Sequence, residues 1–169
     1  DKPMSRLERF DKLMSAKLCE PLSSSYRKAL YDLSVKLRQR LVKSGDINVE
    51  YIDSLVLKYS NNTSYNTTRR HLNVLINFLY DNGFKIQKSS LRSKRQVETL
   101  HKPIKGLVSV LESVKSYSPN LYVCCLLTYG CLLRPHKEIR LLKWSDFSDD
   151  LTYINLSGNR VKSKRNRIV

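Results

Sequence analysis

LYVCCLLTYGCLLRPHKEIRLLKWSD, residues 121–146, decides how the rest of the chain is read. Its first half, residues 121–133, is almost unbroken apolar, interrupted by Thr128, Tyr129 and Gly130. Thirteen residues are too few to span a bilayer, so the run predicts a buried core helix. Arg134 and Pro135 follow directly. Pro135 has no N–H to lose in the first turn of a new helix and is favoured there. That second helix carries Glu138, Ile139, Leu141 and Leu142 and ends near Trp144, Ser145 and Asp146. Trp144 reads as core packing. A guanidinium placed where one helix stops and the next begins suits an anion site.

Upstream of this stretch, Leu107, Val108, Leu111 and Val114 keep a helical period that ends around Ser118-Pro119. Before it the pattern lapses. Residues 85–105 carry Lys85, Lys88, Arg92, Lys94, Arg95, Lys102 and Lys105 against one acid, Glu98. They read as a basic linker, bounded at 85–103. Residues 1–84 form a small all-helical unit. Leu7, Phe10, Met14 and Leu18 share one helical face, and Pro21 ends that helix. One of Ser23, Ser24 and Ser25 caps the next, striped by Tyr26, Leu30, Leu33, Leu37 and Leu41 and closed by Ser44-Gly45. Ile47, Tyr51, Ile52, Leu55 and Tyr59 predict a third helix, stopped by Asn61-Asn62. Ser64 is expected to cap a fourth, with Leu72, Leu75, Ile76 and Leu79 inward and Asn82-Gly83 at its end. Downstream, Leu151, Tyr153, Ile154 and Leu156 predict a strand. A turn at Ser157-Gly158-Asn159 and a returning strand near residues 167–169 follow.

The formal net charge is +16, from 31 Lys and Arg against 15 Asp and Glu. An excess of that size calls for a polyanionic partner, with nucleic acid first. No lipidation signal and no basic helix with an exposed apolar face points to a membrane surface. Hydrophobic content is that of a folded protein, which argues against global disorder. The four cysteines, Cys19, Cys124, Cys125 and Cys131, lack metal-ligand spacing and are expected to be reduced, buried thiols. The charged start of the sequence is unlike a signal peptide, so an intracellular protein is expected.

Arg134 followed by Glu138-Ile139-Arg140-Leu141-Leu142-Lys143-Trp144-Ser145-Asp146 resembles the first catalytic-arginine block of the tyrosine recombinases, the phage-integrase family. There an arginine precedes Glu-aliphatic-x-x-Leu-x-Trp-x-Asp. Two departures are visible: the family's acid usually stands three residues after its arginine, whereas Glu138 stands four after Arg134, and the stretch between Gly130 and Arg134 is longer than usual. The layout of the chain is similar too. The resemblance implies a mainly α protein: a helical, SAM-like core-binding domain over residues 1–84, and a basic linker at 85–103. Residues 104–169 would then be the start of a mixed, mostly helical catalytic domain with a small antiparallel hairpin.

The same resemblance implies a reaction: phosphoryl transfer on DNA without metal or cofactor, through a 3′-phosphotyrosine. Charge grows on the non-bridging phosphate oxygens, so fixed cations lower the barrier. Arg134 would supply a planar, always-charged fork for them. The plain alternative is a helix-end arginine that solvates carbonyls or pairs with Glu138. Glu138 would hold Arg134 in place, and Lys162 would protonate the 5′-oxygen leaving group, with Lys164 its rival. The family's His-x-x-Arg segment and nucleophilic tyrosine have no counterpart among the residues given, and none of the ten tyrosines sits in a matching motif. A half-built hairpin is a poor terminus, so a fragment of a longer recombinase is expected.

Tyr65, Asn66, Thr68, Arg69 and Arg70 concentrate donors near a helix start, which suits entry into a groove and reading of base edges; a solvated helix face is the alternative. Arg92, Lys94 and Arg95, with Lys164 and Arg165 in the hairpin, are expected to neutralise phosphates. The partners expected are double-stranded DNA and further copies of the full-length protein in a tetrameric synapse. No membrane and no small-molecule substrate is expected, and the location implied is the bacterial cytoplasm, at the nucleoid. From other classes, a non-catalytic DNA-binding regulator and a helical RNA-binding module are the alternative readings.

Overall fold

A computed structural model describes residues 3–169. The chain is mainly helical, with one small antiparallel sheet of two strands. It divides into two compact units, the first ending at Thr99 and the second spanning Leu100–Val169.

The first unit is built from α1 (Arg6–Leu18), α2 (Ser24–Ser44), α3 (Val49–Leu57) and α4 (Asn62–Asp81). Helix α1 opens with a reciprocal cap: Ser5 accepts the Glu8 N–H, and the Glu8 carboxylate accepts the Ser5 N–H. Ser23 caps α2, and Gly45 ends it in the left-handed conformation at φ 74°. The predicted stripes face inward. Phe10, Met14, Leu30, Leu37, Ile52, Leu72, Leu75, Ile76 and Leu79 are all buried in one cluster. Helix α4 touches each of the other three, so it is the axis of this unit.

The start of α4 corrects the sequence reading. Asn61, not Ser64, is its cap: the Asn61 side-chain oxygen accepts from Thr63 and Ser64 N–H at 2.8 and 3.2 Å. Helix α3 stops at Leu57, before the expected Asn61-Asn62 end, and Asn61 caps the next helix because its carbonyl reaches N–H groups two and three residues on. After α4, Gly83 sits at φ 81° with the Arg9 guanidinium against it, where a Cβ would fall 2.6 Å from Nη2. The chain then turns back, burying Phe84 and Ile86, with the Phe84 ring edge-on to Phe10. The stretch predicted as a linker therefore divides: residues up to about 96 lie against the first unit, and the second unit begins at Leu100.

The second unit has α5 (Leu107–Tyr117), α6 (Pro119–Cys131), a π-helical turn (Pro135–Ile139), and a short 3-10 turn (Trp144–Asp146). Strands β1 (Asn155–Leu156) and β2 (Arg167–Ile168) pair antiparallel, with Asn155 opposite Ile168 and Leu156 opposite Arg167. Its core is small: Leu133, Ile154, Leu156 and Val161, flanked by Leu127, Cys131, Ile139, Leu142, Phe147 and Val169.

Helix α6 is not the buried core helix that its composition predicts. None of its residues is fully buried, and Tyr129 is 68% exposed. Helix α5 and the π-turn pack against it, while Leu121, Val123 and Leu126 remain in the open. An all-round apolar helix needs neighbours on every side, and among the described residues α6 lacks them. Trp144, expected in the core, is 84% exposed, its ring tilted against Phe147 at a centroid distance of 5.7 Å. The cysteines differ as well: Cys19 is exposed, the other three are half-buried, and all are free thiols. Among the described residues no helix is long and apolar enough to cross a membrane.

The cap at α4 separates two substitutions. Asn61→Ala should lower the stability of the first unit by about 1 kcal/mol in urea unfolding followed by helical circular dichroism. Ser64→Ala should cost far less, since its hydroxyl caps nothing.

Candidate functional site

Two groups of residues carry chemistry, one in each unit. In the second, Leu132 leaves α6 in the left-handed conformation at φ 54°, Leu133 plugs the core, and Arg134 stands extended before the π-turn. Pro135 is the first residue of that turn, as predicted, but a regular helix does not follow. The turn closes with wide bonds, Ile139 N–H to Arg134 C=O and Arg140 N–H to Pro135 C=O, both 3.0 Å. Such single π-turns are rare and concentrate at functional positions.

Glu138 is 2% exposed. Its Oε2 accepts the backbone N–H of Arg134 at 2.8 Å and lies 3.7 Å from Nη1 of Arg167 on β2. Arg167 also donates to the C=O of Cys131 at 3.0 Å, covering the carbonyl end of α6. The plain roles open to Arg134, helix-end solvation and pairing with Glu138, are thus filled by Arg167. Among the described residues the exposed Arg134 guanidinium takes no hydrogen bond or ion pair. Its backbone is fixed while its charge stays available.

The hairpin is anchored from its other side. Arg160 donates to Asp146 at 2.5 Å and to the C=O of Leu141 at 2.6 Å. The Arg160 hydrogen bond, followed by the Lys143 N–H, holds the Asp146 carboxyl below the usual carboxylate range, and Asp146 raises Arg160 in turn. The predicted turn at Ser157-Gly158-Asn159 is the start of a longer loop, residues 157–166. Gly158 is required there: a Cβ would fall 2.5 Å from the Lys164 carbonyl oxygen. Val161 is buried, and Lys164 N–H returns to Val161 C=O at 3.1 Å, placing Lys162 at the centre of a tight turn. Lys162, Lys164 and Arg165 are all exposed, with Lys164 itself at φ 56°.

In the first unit, α4 and the following chain are laced together. Tyr65, 3% exposed, donates its hydroxyl to the C=O of Arg92 at 3.1 Å. Asn66 meets Lys94 twice, donating to its C=O at 2.7 Å and accepting its N–H at 2.8 Å. Arg69 donates to Leu91 C=O at 2.7 Å, and Asn62 to Arg95 C=O at 2.9 Å. Residues 91–96 form a strap along α4, with side chains of Arg92, Lys94 and Arg95 exposed and Lys94 Nζ 4.3 Å from the Tyr65 ring centre. The Tyr65 hydroxyl, the Asn66 amide and the Arg69 Nε–H are therefore engaged within the chain. Arg70 is exposed, and Thr68 lines a shallow hollow with Lys36, Lys58 and His71.

Sequence reasoning missed Arg160, Arg167 and Asn62. The available signal was indirect: carboxylates on an apolar helix, such as Glu138, require a cationic partner somewhere. Among the described residues no group of His, Cys, Asp and Glu is arranged to hold a metal ion. No protein-family model, curated protein or solved structure matches the chain.

The Asp146 anchor sets an acid dependence. Its folded pKa lies below the unfolded value, so its stabilisation is present above about pH 3.8 and disappears as pH falls through the folded value. Thermal unfolding of wild type should lose more stability than Asp146→Asn between about pH 6 and about pH 2.5. Equal losses would show that the ion pair contributes nothing.

Proposed function

We propose that this chain is the DNA-binding portion of a site-specific tyrosine recombinase. The observation that carries the reading is Arg134. A buried carboxylate holds its backbone, a second arginine takes the structural duties, and its guanidinium is left exposed and uncommitted. That is what a phosphate-binding arginine requires, because a cation already paired would stabilise no developing charge. On this reading the first unit is a SAM-like core-binding domain. The second is the beginning of the catalytic domain, whose hairpin presents Lys162 or Lys164 to the leaving oxygen.

Double-stranded DNA is the partner. The +16 charge supplies attraction that is strong, salt-dependent and blind to sequence. Arg92, Lys94 and Arg95 on the strap, Arg70 on α4, and Lys164 and Arg165 in the hairpin are the proposed phosphate contacts. Strand exchange by the full-length protein would bring four copies together on DNA at the bacterial nucleoid. A second reading is a DNA-binding regulator without cleavage, which the +16 charge would serve equally well.

Gel-shift titration against duplexes of unrelated sequence tests binding. Replacing Arg92, Lys94 and Arg95 together by Ala should weaken all duplexes alike and flatten the salt dependence by up to roughly one unit for each phosphate no longer neutralised. Weakening confined to one sequence would make these residues base readers instead. In the full-length enzyme, Arg134→Ala should slow cleavage on the order of a hundredfold or more while leaving DNA affinity nearly unchanged. Arg140→Ala, just past the same turn, is the control. Normal cleavage by the first variant and none by the second would move the catalytic role off Arg134.

A further inference from the structure

Asn66 looks, by residue type and position, like a reader of bases. Its geometry is that of a splint. Both ends of its amide are engaged with the backbone of one residue, Lys94, at 2.7 and 2.8 Å. The pairing copies one rung of a β-ladder with a side chain in place of a strand. Tyr65, Arg69 and Asn62 add single bonds to Arg92, Leu91 and Arg95, so four side chains of α4 hold the backbone of four strap residues. Among the described residues no backbone–backbone bond joins 91–96 to α4. These side chains hold the strap between Leu91, which packs on the core with its N–H on Ser89 Oγ, and Gln96, which bonds Thr63.

We infer that Asn66 is a positioning residue for DNA binding: it pre-orders Arg92, Lys94 and Arg95 for phosphate contact without touching DNA itself. The inference rests on the DNA reading above and adds a mechanism to it. An unheld segment loses backbone freedom at each residue when it binds, which lowers affinity. A segment already held has lost that freedom on folding. Asn and Tyr are suited to the task because they are neutral. A carboxylate in the same place would hold the backbone and cancel the field that attracts phosphate.

Positioning and contact differ in one measurable way. Removing a phosphate-binding cation lowers both affinity and the slope of log affinity against log salt, since fewer counterions are released. Removing a splint lowers affinity while the same cations still reach the same phosphates. The slope is then unchanged. Asn66→Ala should weaken duplex binding about tenfold at constant slope. Its Lys94 amide should exchange hydrogen faster, while the melting temperature of the first unit stays near wild type. Asn62→Ala, which frees Arg95, should shift affinity in the same direction by less.

Each other outcome decides. A slope reduced by about one unit, or affinity reduced for one sequence only, would make Asn66 a DNA contact and overturn the inference. So would wild-type affinity in an Asn66→Ala chain whose Lys94 amide exchanges freely. A Lys94 amide that stays protected even in the Asn62→Ala/Asn66→Ala double variant would show that the splint holds nothing. Failure of the wild-type chain to bind any duplex would overturn the DNA reading itself, and this inference with it.

Discussion

A carboxylate with 2% of its surface exposed has to be compensated, and in the second unit that requirement falls on Glu138. It is met from two directions. Arg134 gives a backbone N–H from the end of α6, and Arg167 brings a guanidinium from β2, distant in sequence. Three segments thereby meet at one side chain: the exit of α6, the π-turn and the hairpin. The apolar core here is only four fully buried residues, too few to define the arrangement unaided. Removing the Glu138 carboxylate would leave the Arg134 N–H without its acceptor, a penalty of about 1–3 kcal/mol, while Arg167 would keep the carbonyls of Cys131 and Leu132. The polar junction and the small core place the hairpin together.

The chain uses its scarce acids selectively. With 15 acids against 31 basic residues, most cations have no anion to pair with. Glu138 and Asp146 are taken by Arg167 and Arg160, the two arginines that fasten the hairpin at its ends. Around the strap the solution differs. Neutral Tyr65, Asn62 and Asn66, with cationic Arg69, bind the backbone of residues 91–95, and no carboxylate pairs with Arg92, Lys94 or Arg95 among the described residues. At the hairpin ion pairs do the holding; at the strap two amides, a phenol and the Arg69 guanidinium do it.

That division explains which features were legible. The stripes of α1, α2 and α4 could be read because burial in a helical bundle has a period, and Gly45 and Pro135 because each suits one backbone task. The fate of α6 could not, since apolar composition states a demand for neighbours without supplying them. Asn61 and Ser64 are both good caps, and only the path of the chain chose between them. Asn66 and Arg69 offered donors whose acceptors lay 28 and 22 residues ahead, in a stretch with no apolar period to place it beside α4. Arg160 and Arg167 were two among many cations in a basic run. Their partners are set by tertiary geometry.

The π-turn also sets how Glu138 meets Arg134. In a capped helix, the side chain three residues beyond the cap reaches back to the cap's own N–H. Arg134 is the cap here, and the acid that accepts its N–H is four residues on. A wide turn, with bonds from Ile139 to Arg134 and from Arg140 to Pro135, holds one residue more than an α-turn. Glu138 N–H still bonds the Arg134 C=O at 3.1 Å, as in an α-turn, so both its N–H and its carboxylate close on Arg134. The carboxylate is bound to the arginine's backbone rather than its side chain, and the guanidinium is left to act on something else.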